Sequence, residues 1–178
     1  GTVGGVLAAV ELRVLDPEGG VLPQGQPGEI CCRNKTYPDF TYRNRPQERA
    51  ALDRNGLVGT GDVGYLDEDG YLFICDRIKD MVISGGVNIY PAEIEAALLA
   101  IPGVRDCAVF GIPHPEFGEA LAAHIEPMDG SQLEPDAIRQ ALGRTLARYK
   151  LPSVIQFDAQ LPRQDNGKIY KRRLSAPY

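Results

Sequence analysis

The sequence has no tryptophan, and its 178 residues include only two histidines and two methionines. So few imidazoles (His114 and His124) leave little material for a zinc centre. The four cysteines, Cys31, Cys32, Cys75 and Cys107, contain no Cys-x-x-Cys pair, and two adjacent cysteines do not easily chelate one metal. Neither histidine stands in a serine and carboxylate arrangement that suggests a triad, so both read as structural. No apolar run approaches the roughly 20 residues that a membrane span needs. A positive-then-apolar leader is also missing, so secretion is not indicated. Basic excess is absent too. Nineteen Lys and Arg face 24 Asp and Glu, and the net charge of −5 argues against a nucleic-acid partner.

What is present suits a globular chain. Hydrophobic residues make up 43% and charged residues 24%, enough for a real core in one large domain or two small ones. This is neither a disordered chain nor a disulfide miniprotein. The cysteines read as reduced, mostly buried small hydrophobes, which favours a cytoplasmic protein. The chain opens Gly1-Thr2-Val3-Gly4-Gly5, without Met, in what reads as the middle of a fold. A fragment is therefore expected.

Periodicity divides the chain in two. Val10, Leu12 and Val14 alternate with Glu11 and Arg13, the pattern of a strand with one wet face. Asp16-Pro17-Glu18-Gly19-Gly20 supplies a turn, and Gly28–Arg33 reads as the returning strand. A short helix is expected over 46–52, opened by Pro46. Val63–Leu66 and Tyr71–Cys75 form a hairpin across Asp67-Glu68-Asp69-Gly70. Residues 1–76 thus read as a small antiparallel β unit.

After Asp80 the pattern becomes mixed. Met81–Ser84 is a short strand ending at Gly85-Gly86, and Pro91 opens a helix with Glu93 and Glu95 in its first turn. Val104–Ile112 and Ala120–Glu126 read as strands. A second helix starts near Pro135, with Ile138, Leu142, Leu146 and Tyr149 on one face. Val154–Phe157 is a last strand before a polar loop. The order β-α-β-β-α-β describes a compact α+β domain.

Four short segments could carry chemistry. Thr60-Gly61-Asp62 reads as a glycine-sharpened loop just before a strand. Its carboxylate can accept two hydrogen bonds from a ribose diol, or simply cap its own turn. Asp76-Arg77-Ile78-Lys79-Asp80 is a charged linker between the halves, or a phosphate-binding or ribose-binding fork (Arg77) beside a hinge (Lys79). Ser84-Gly85-Gly86-Val87-Asn88 is a tight turn, or a place where backbone approaches a ligand. It lacks the spacing and lysine of a phosphate loop. Lys168, after Gly167, is either part of a basic surface tail or a mobile point charge for an anionic centre.

Taken in order, the segments are more specific than any one alone. Gly56-Leu57-Val58-Gly59-Thr60-Gly61-Asp62, Gly70–Asp80, Ile83–Glu95 and Leu161–Leu174 with Gly167-Lys168 together resemble the adenylate-forming superfamily of acyl-CoA synthetases, aryl-CoA ligases, luciferases and peptide-synthetase adenylation domains. The resemblance runs along essentially the whole chain. It implies residues 1–78 as the β subdomain ending a large AMP-binding domain, and 79–178 as a mobile α+β lid, with the hinge at Lys79. It further implies a two-step reaction, in which a carboxylic acid and ATP give acyl-AMP, and coenzyme A then takes the acyl group. Asp62 and Arg77 would hold the ribose, Lys168 would serve adenylation, and Gly85 and Gly86 would border the coenzyme A channel.

The family's ATP-phosphate loop, magnesium ligands and acyl pocket normally lie upstream of these motifs. The expectation is therefore a C-terminal fragment, inactive alone, of a bacterial-type ligase for a fatty, aromatic or steroid-like acid. The alternatives are an adenylation module that loads a carrier protein, and a non-catalytic binding module that keeps the lid fold. The absence of a carrier domain after Tyr178 tilts the reading toward the free ligase. Three positions depart from the usual pattern: Leu57, where an aromatic is common, Asp76, where Gly is frequent, and Ile83, where some relatives carry Lys.

Overall fold

Alternating apolar residues pair into one antiparallel sheet in the first part of the computed structural model, which describes residues 2–178. Its elements are β1 (Thr2–Gly5), β2 (Val10–Leu15), β3 (Gly28–Asn34), helix α1 (Pro46–Ala51), β4 (Asp53–Arg54), β5 (Leu57–Leu66) and β6 (Tyr71–Arg77). Their order across the sheet is β1-β6-β5-β3-β2, with β4 also on β5. The β5–β6 hairpin follows from its loop chemistry. The Asp67 carboxylate accepts the amides of Asp69 and Tyr71 at 3.1 and 2.8 Å, and Gly70 supplies a φ of +80°. Leu15, Cys31 and Leu57 form a small buried cluster.

One expectation fails here. Thr60-Gly61-Asp62 is not a loop before a strand but lies inside β5. Glu29 of β3 pairs with Val63 and Cys31 with Gly59, so β5 takes four steps where β3 takes two. The surplus is a bulge, and Gly61 at φ +76° allows it. The glycines that read as a loop signal serve instead to kink a continuous strand.

The chain divides into a unit ending at Lys79 and a second unit, Asp80–Tyr178. The division falls within a 3-10 turn, Ile78–Asp80. The second unit contains β7 (Val82–Ser84), β8 (Val87–Ile89), α2 (Pro91–Leu99), β9 (Val104–His114), β10 (Gly118–Pro127), α3 (Pro135–Leu142), β11 (Val154–Phe157) and α4 (Lys171–Ser175). Strand β10 is central. It pairs antiparallel with β9 along its length, parallel with β11, and antiparallel with β7 at Gly118, while β8 continues from β7.

Period-two alternation sorts the second core into two layers. Cys107 and Val109 of β9, with Leu121, Ala123 and Ile125 of β10, pack with Ile94 and Leu98 of α2 and Ile138 and Leu142 of α3. On the other set of positions, Ala108, Phe110, Ile112, Ala120 and Ala122 are covered by Leu161 and Leu174. The segment after β11 is therefore not a polar tail. It closes one face of the sheet and carries Lys168 with it.

The helix expected through Tyr149 stops at Leu142, where Gly143 serves as C-cap. Leu146 still packs on the core, but Tyr149 lies in a 3-10 turn and is 55% exposed.

Candidate active site

Two of the ribose candidates meet across one strand pair. Asp62 of β5 lies opposite Arg77 of β6, and Arg77 Nε stands 3.2 Å from Asp62 Oδ1. The Asp62 side chain is 28% exposed and that of Arg77 56%, so both remain within reach of a solute. Asp62 does not cap its own turn. The Thr60 hydroxyl takes that role, accepting the Asp62 amide at 3.1 Å while donating to the Ile30 carbonyl at 2.9 Å. This leaves the carboxylate for Arg77 and for whatever binds beside it. Lys79 is exposed in the 3-10 turn that follows.

Gly85 and Gly86 form the two-residue loop of the β7–β8 hairpin, between the paired Ser84 and Val87. Their φ angles of +57° and +81° are those of a type I′ turn, which suits the twist of the flanking strands. The Gly85 amide donates to the Phe117 carbonyl at 3.0 Å, fixing the hairpin to the start of β10. Beside it, His114 Nδ1 accepts the amides of Glu116 and Phe117, each at 3.2 Å, and its ring stacks on Phe117. Gly86 has open space where a side chain would project.

Lys168 is exposed at the tip of a separate turn. Its amide donates to Asn166 Oδ1 at 3.0 Å, its carbonyl accepts the Gln164 amide at 2.8 Å, and Gly167 turns the chain at φ +82°. Among the described residues of its unit, no carboxylate pairs with the Lys168 ammonium. Its neighbours are firmly held. Lys171 pairs with Glu95 at 2.7 Å, and Glu95 also accepts the Val109 amide. Buried Glu126 accepts the buried Leu161 amide at 2.9 Å, and His124 bonds Asp158 at 2.6 Å.

The two loops of the second unit sit at opposite ends of the β9–β10 pair. The glycine hairpin adjoins Gly118, while the lysine turn adjoins Asp106, which is paired with Glu126. Eight residues separate Gly118 from Glu126, or about 26 Å at the usual strand rise.

A family model for the AMP-binding enzyme C-terminal domain matches residues 93–168. A feruloyl-CoA synthase of Amycolatopsis sp is 42% identical over 90% of this chain. The solved structure of ATP-bound MatB from Rhodopseudomonas palustris covers the whole chain at 38% identity and a TM-score of 0.90. The chain belongs to the adenylate-forming superfamily. A fatty acid–[acyl-carrier-protein] ligase of Streptomyces coeruleorubidus is 41% identical over 93% of the chain. This superfamily member spans about a third of the length of the curated relatives it matches: 33% of the feruloyl-CoA synthase, for example.

Sequence reasoning missed the side chains that hold the lysine turn: Asp106, Glu126, Asp158 and Arg163. The bonds that matter span 34 to 57 residues: Asp158 with His124, Glu126 with Leu161 and Arg163 with Asp106. Only the alternation of buried residues along β10 hinted that Glu126 would lie inside. Among the described residues no three His, Cys, Asp or Glu side chains converge as a metal set. No helix among the described residues is long and apolar enough to cross a membrane.

Proposed function

We propose that this chain is the C-terminal portion of an AMP-forming acyl-CoA synthetase and supplies the groups that distinguish its two half-reactions. In the first, a carboxylate oxygen attacks the α-phosphorus of ATP, the bond to the β-phosphate breaks, and acyl-AMP and pyrophosphate form. In the second, the coenzyme A thiol attacks the acyl carbon, loses its proton and expels AMP.

Asp62 accepts hydrogen bonds from the ribose hydroxyls, and Arg77 orients that carboxylate while offering its remaining N–H groups to ribose or phosphate oxygens. Lys168 brings a positive charge to the oxygens on which negative charge accumulates during adenylation, and so favours that transition state over the ground state. The Gly85-Gly86 hairpin presents bare backbone to the narrow pantetheine arm of coenzyme A. Lys79 is the pivot between the unit that holds the nucleotide and the unit that carries both loops.

The observation that carries this reading is the separation of the two loops. The strand positions beside which the two loops lie, Gly118 and Glu126, are about 26 Å apart, and loops at opposite ends of one strand pair do not serve one reacting centre at the same moment. A unit that turns between steps can present each loop when it is needed. Magnesium, with ligands upstream of these motifs, would neutralise the phosphates of ATP. Four cysteines outside any disulfide suit a reducing, cytoplasmic setting.

A second reading keeps the first half-reaction and replaces coenzyme A by a carrier-bound thiol. The similarity to the carrier-protein ligase supports it. Measurement of carboxylate-dependent pyrophosphate release by the full-length protein, with and without coenzyme A, across fatty, aromatic and steroid acids, decides between them. The first reading expects thioester only with ATP and coenzyme A together. Pyrophosphate exchange without thioester would favour the second, and no pyrophosphate release with any acid would contradict both.

A further inference from the structure

Ile169 packs the turn that carries Lys168 against the second core, and among its hydrogen bonds one side chain links its tip to the rest of the unit. Arg163 Nη1 donates to the Gly167 carbonyl at 3.1 Å, while Arg163 Nη2 donates to Asp106 Oδ2 on β9. The other oxygen of Asp106 accepts the Cys107 amide at 2.8 Å, which fixes the carboxylate to its own strand. A short line of bonds therefore runs from a rigid strand, through carboxylate and guanidinium, to the residue beside Lys168. The planar fork of arginine suits two acceptors in different directions, which an ammonium serves poorly.

The remaining polar contacts of the turn are internal. The Gln164 amide donates to the Lys168 carbonyl, Gly167 to Gln164, and Lys168 to Asn166; Arg163 also bridges to Ile169 across the loop. These bonds shape the turn without orienting it. The anchors at Leu161 and Lys171 hold its flanks but do not reach the tip.

We infer that Arg163 and Asp106 are positioning residues that aim Lys168 for adenylation. The inference rests on the reading of Lys168 as the adenylation lysine. The pair is 40% and 26% exposed, and ion pairs in that setting add little to stability. Its consequence belongs to rate instead, because small misplacements of a catalytic group can cost up to about 10²-fold.

The test uses the full-length synthetase with the two half-reactions assayed separately. Lys168→Ala is expected to lower adenylation by about 10²–10³. Arg163→Gln and Asp106→Asn are expected to lower it by about tenfold and to leave thioester formation from supplied acyl-AMP within about twofold. Arg163→Lys keeps the charge opposite Asp106 but loses the second bond, so it falls between wild type and Arg163→Gln. Added to Lys168→Ala, Arg163→Gln should cost nothing more, since the group it aims is gone. Hydrogen exchange of the Arg163→Gln protein should show faster exchange at Gln164, Gly167 and Lys168 with β9 and β10 unchanged.

Full adenylation in Arg163→Gln beside a crippled Lys168→Ala would overturn the inference and leave the lysine's role standing. Losses that multiply in the double variant, or equal losses in both half-reactions, would likewise overturn it. Unimpaired adenylation in Lys168→Ala would instead remove the reading on which it rests.

Discussion

Cys107 and Cys31 show how a residue's setting decides its chemistry. Burial pushes the Cys107 thiol up to about 12, with the nearby carboxylates of Glu95 and Asp106 adding to the shift. Burial likewise pushes Cys31 up to about 11, helped by Glu29. Both shifts start from an ordinary value of 9.0. The sign follows from linkage. Below pH 9 the thiols are protonated in both folded and unfolded chains and stability does not depend on them. Above it the unfolded thiols ionise first, so stability falls as pH rises from about 9 toward 12. Urea unfolding of the wild type against Cys107→Ala should show a shallower fall for the variant across this window; parallel curves would contradict the account. The sequence identified these cysteines as structural because no pairing motif surrounds them. It could not distinguish the two buried ones from half-buried Cys32 and Cys75, since burial depends on strand register.

At the scale of elements, the β7–β8 hairpin depends on two consecutive residues with positive φ. An alanine at Gly86 meets no neighbour but must adopt φ near +81°, at a cost of about 1–2 kcal/mol. Gly86→Ala is expected to lower thermal stability modestly and to slow thioester formation while adenylation holds. Unchanged thioester formation would remove the hairpin from the coenzyme A path. The sequence marked Gly85-Gly86 as a turn but not β8 after it, because three residues carry no periodicity. Helix α4 escaped notice for the same reason, with five residues, three of them basic. Helices α2 and α3 were legible from Pro at their first positions and apolar spacing behind it. The bulge in β5 was misread as a loop because glycine signals either. Only pairing with β3 tells them apart.

At the scale of the whole molecule, legibility came from order. Asp62, Arg77, Gly85, Gly86 and Lys168 each have an ordinary structural explanation, and their sequence of motifs is what implied the family. The structure adds what order alone lacks: Asp62 touches Arg77 across one strand pair, while the glycine hairpin and the lysine turn lie at opposite ends of another. The central claim is that one unit carries two loops for two chemical steps, with a pivot at Lys79. Fixing φ at that pivot with Lys79→Pro restricts rotation while leaving the adenylation arrangement available.

The most direct measurement assays both half-reactions of the full-length protein in Lys168→Ala and Lys79→Pro. The account predicts opposite outcomes. Lys168→Ala should lose adenylation by at least about 10²-fold and still make thioester from supplied acyl-AMP. Lys79→Pro should release pyrophosphate normally and fail to make thioester. Equal loss of both steps in either variant would contradict the claim that the two loops act in turn.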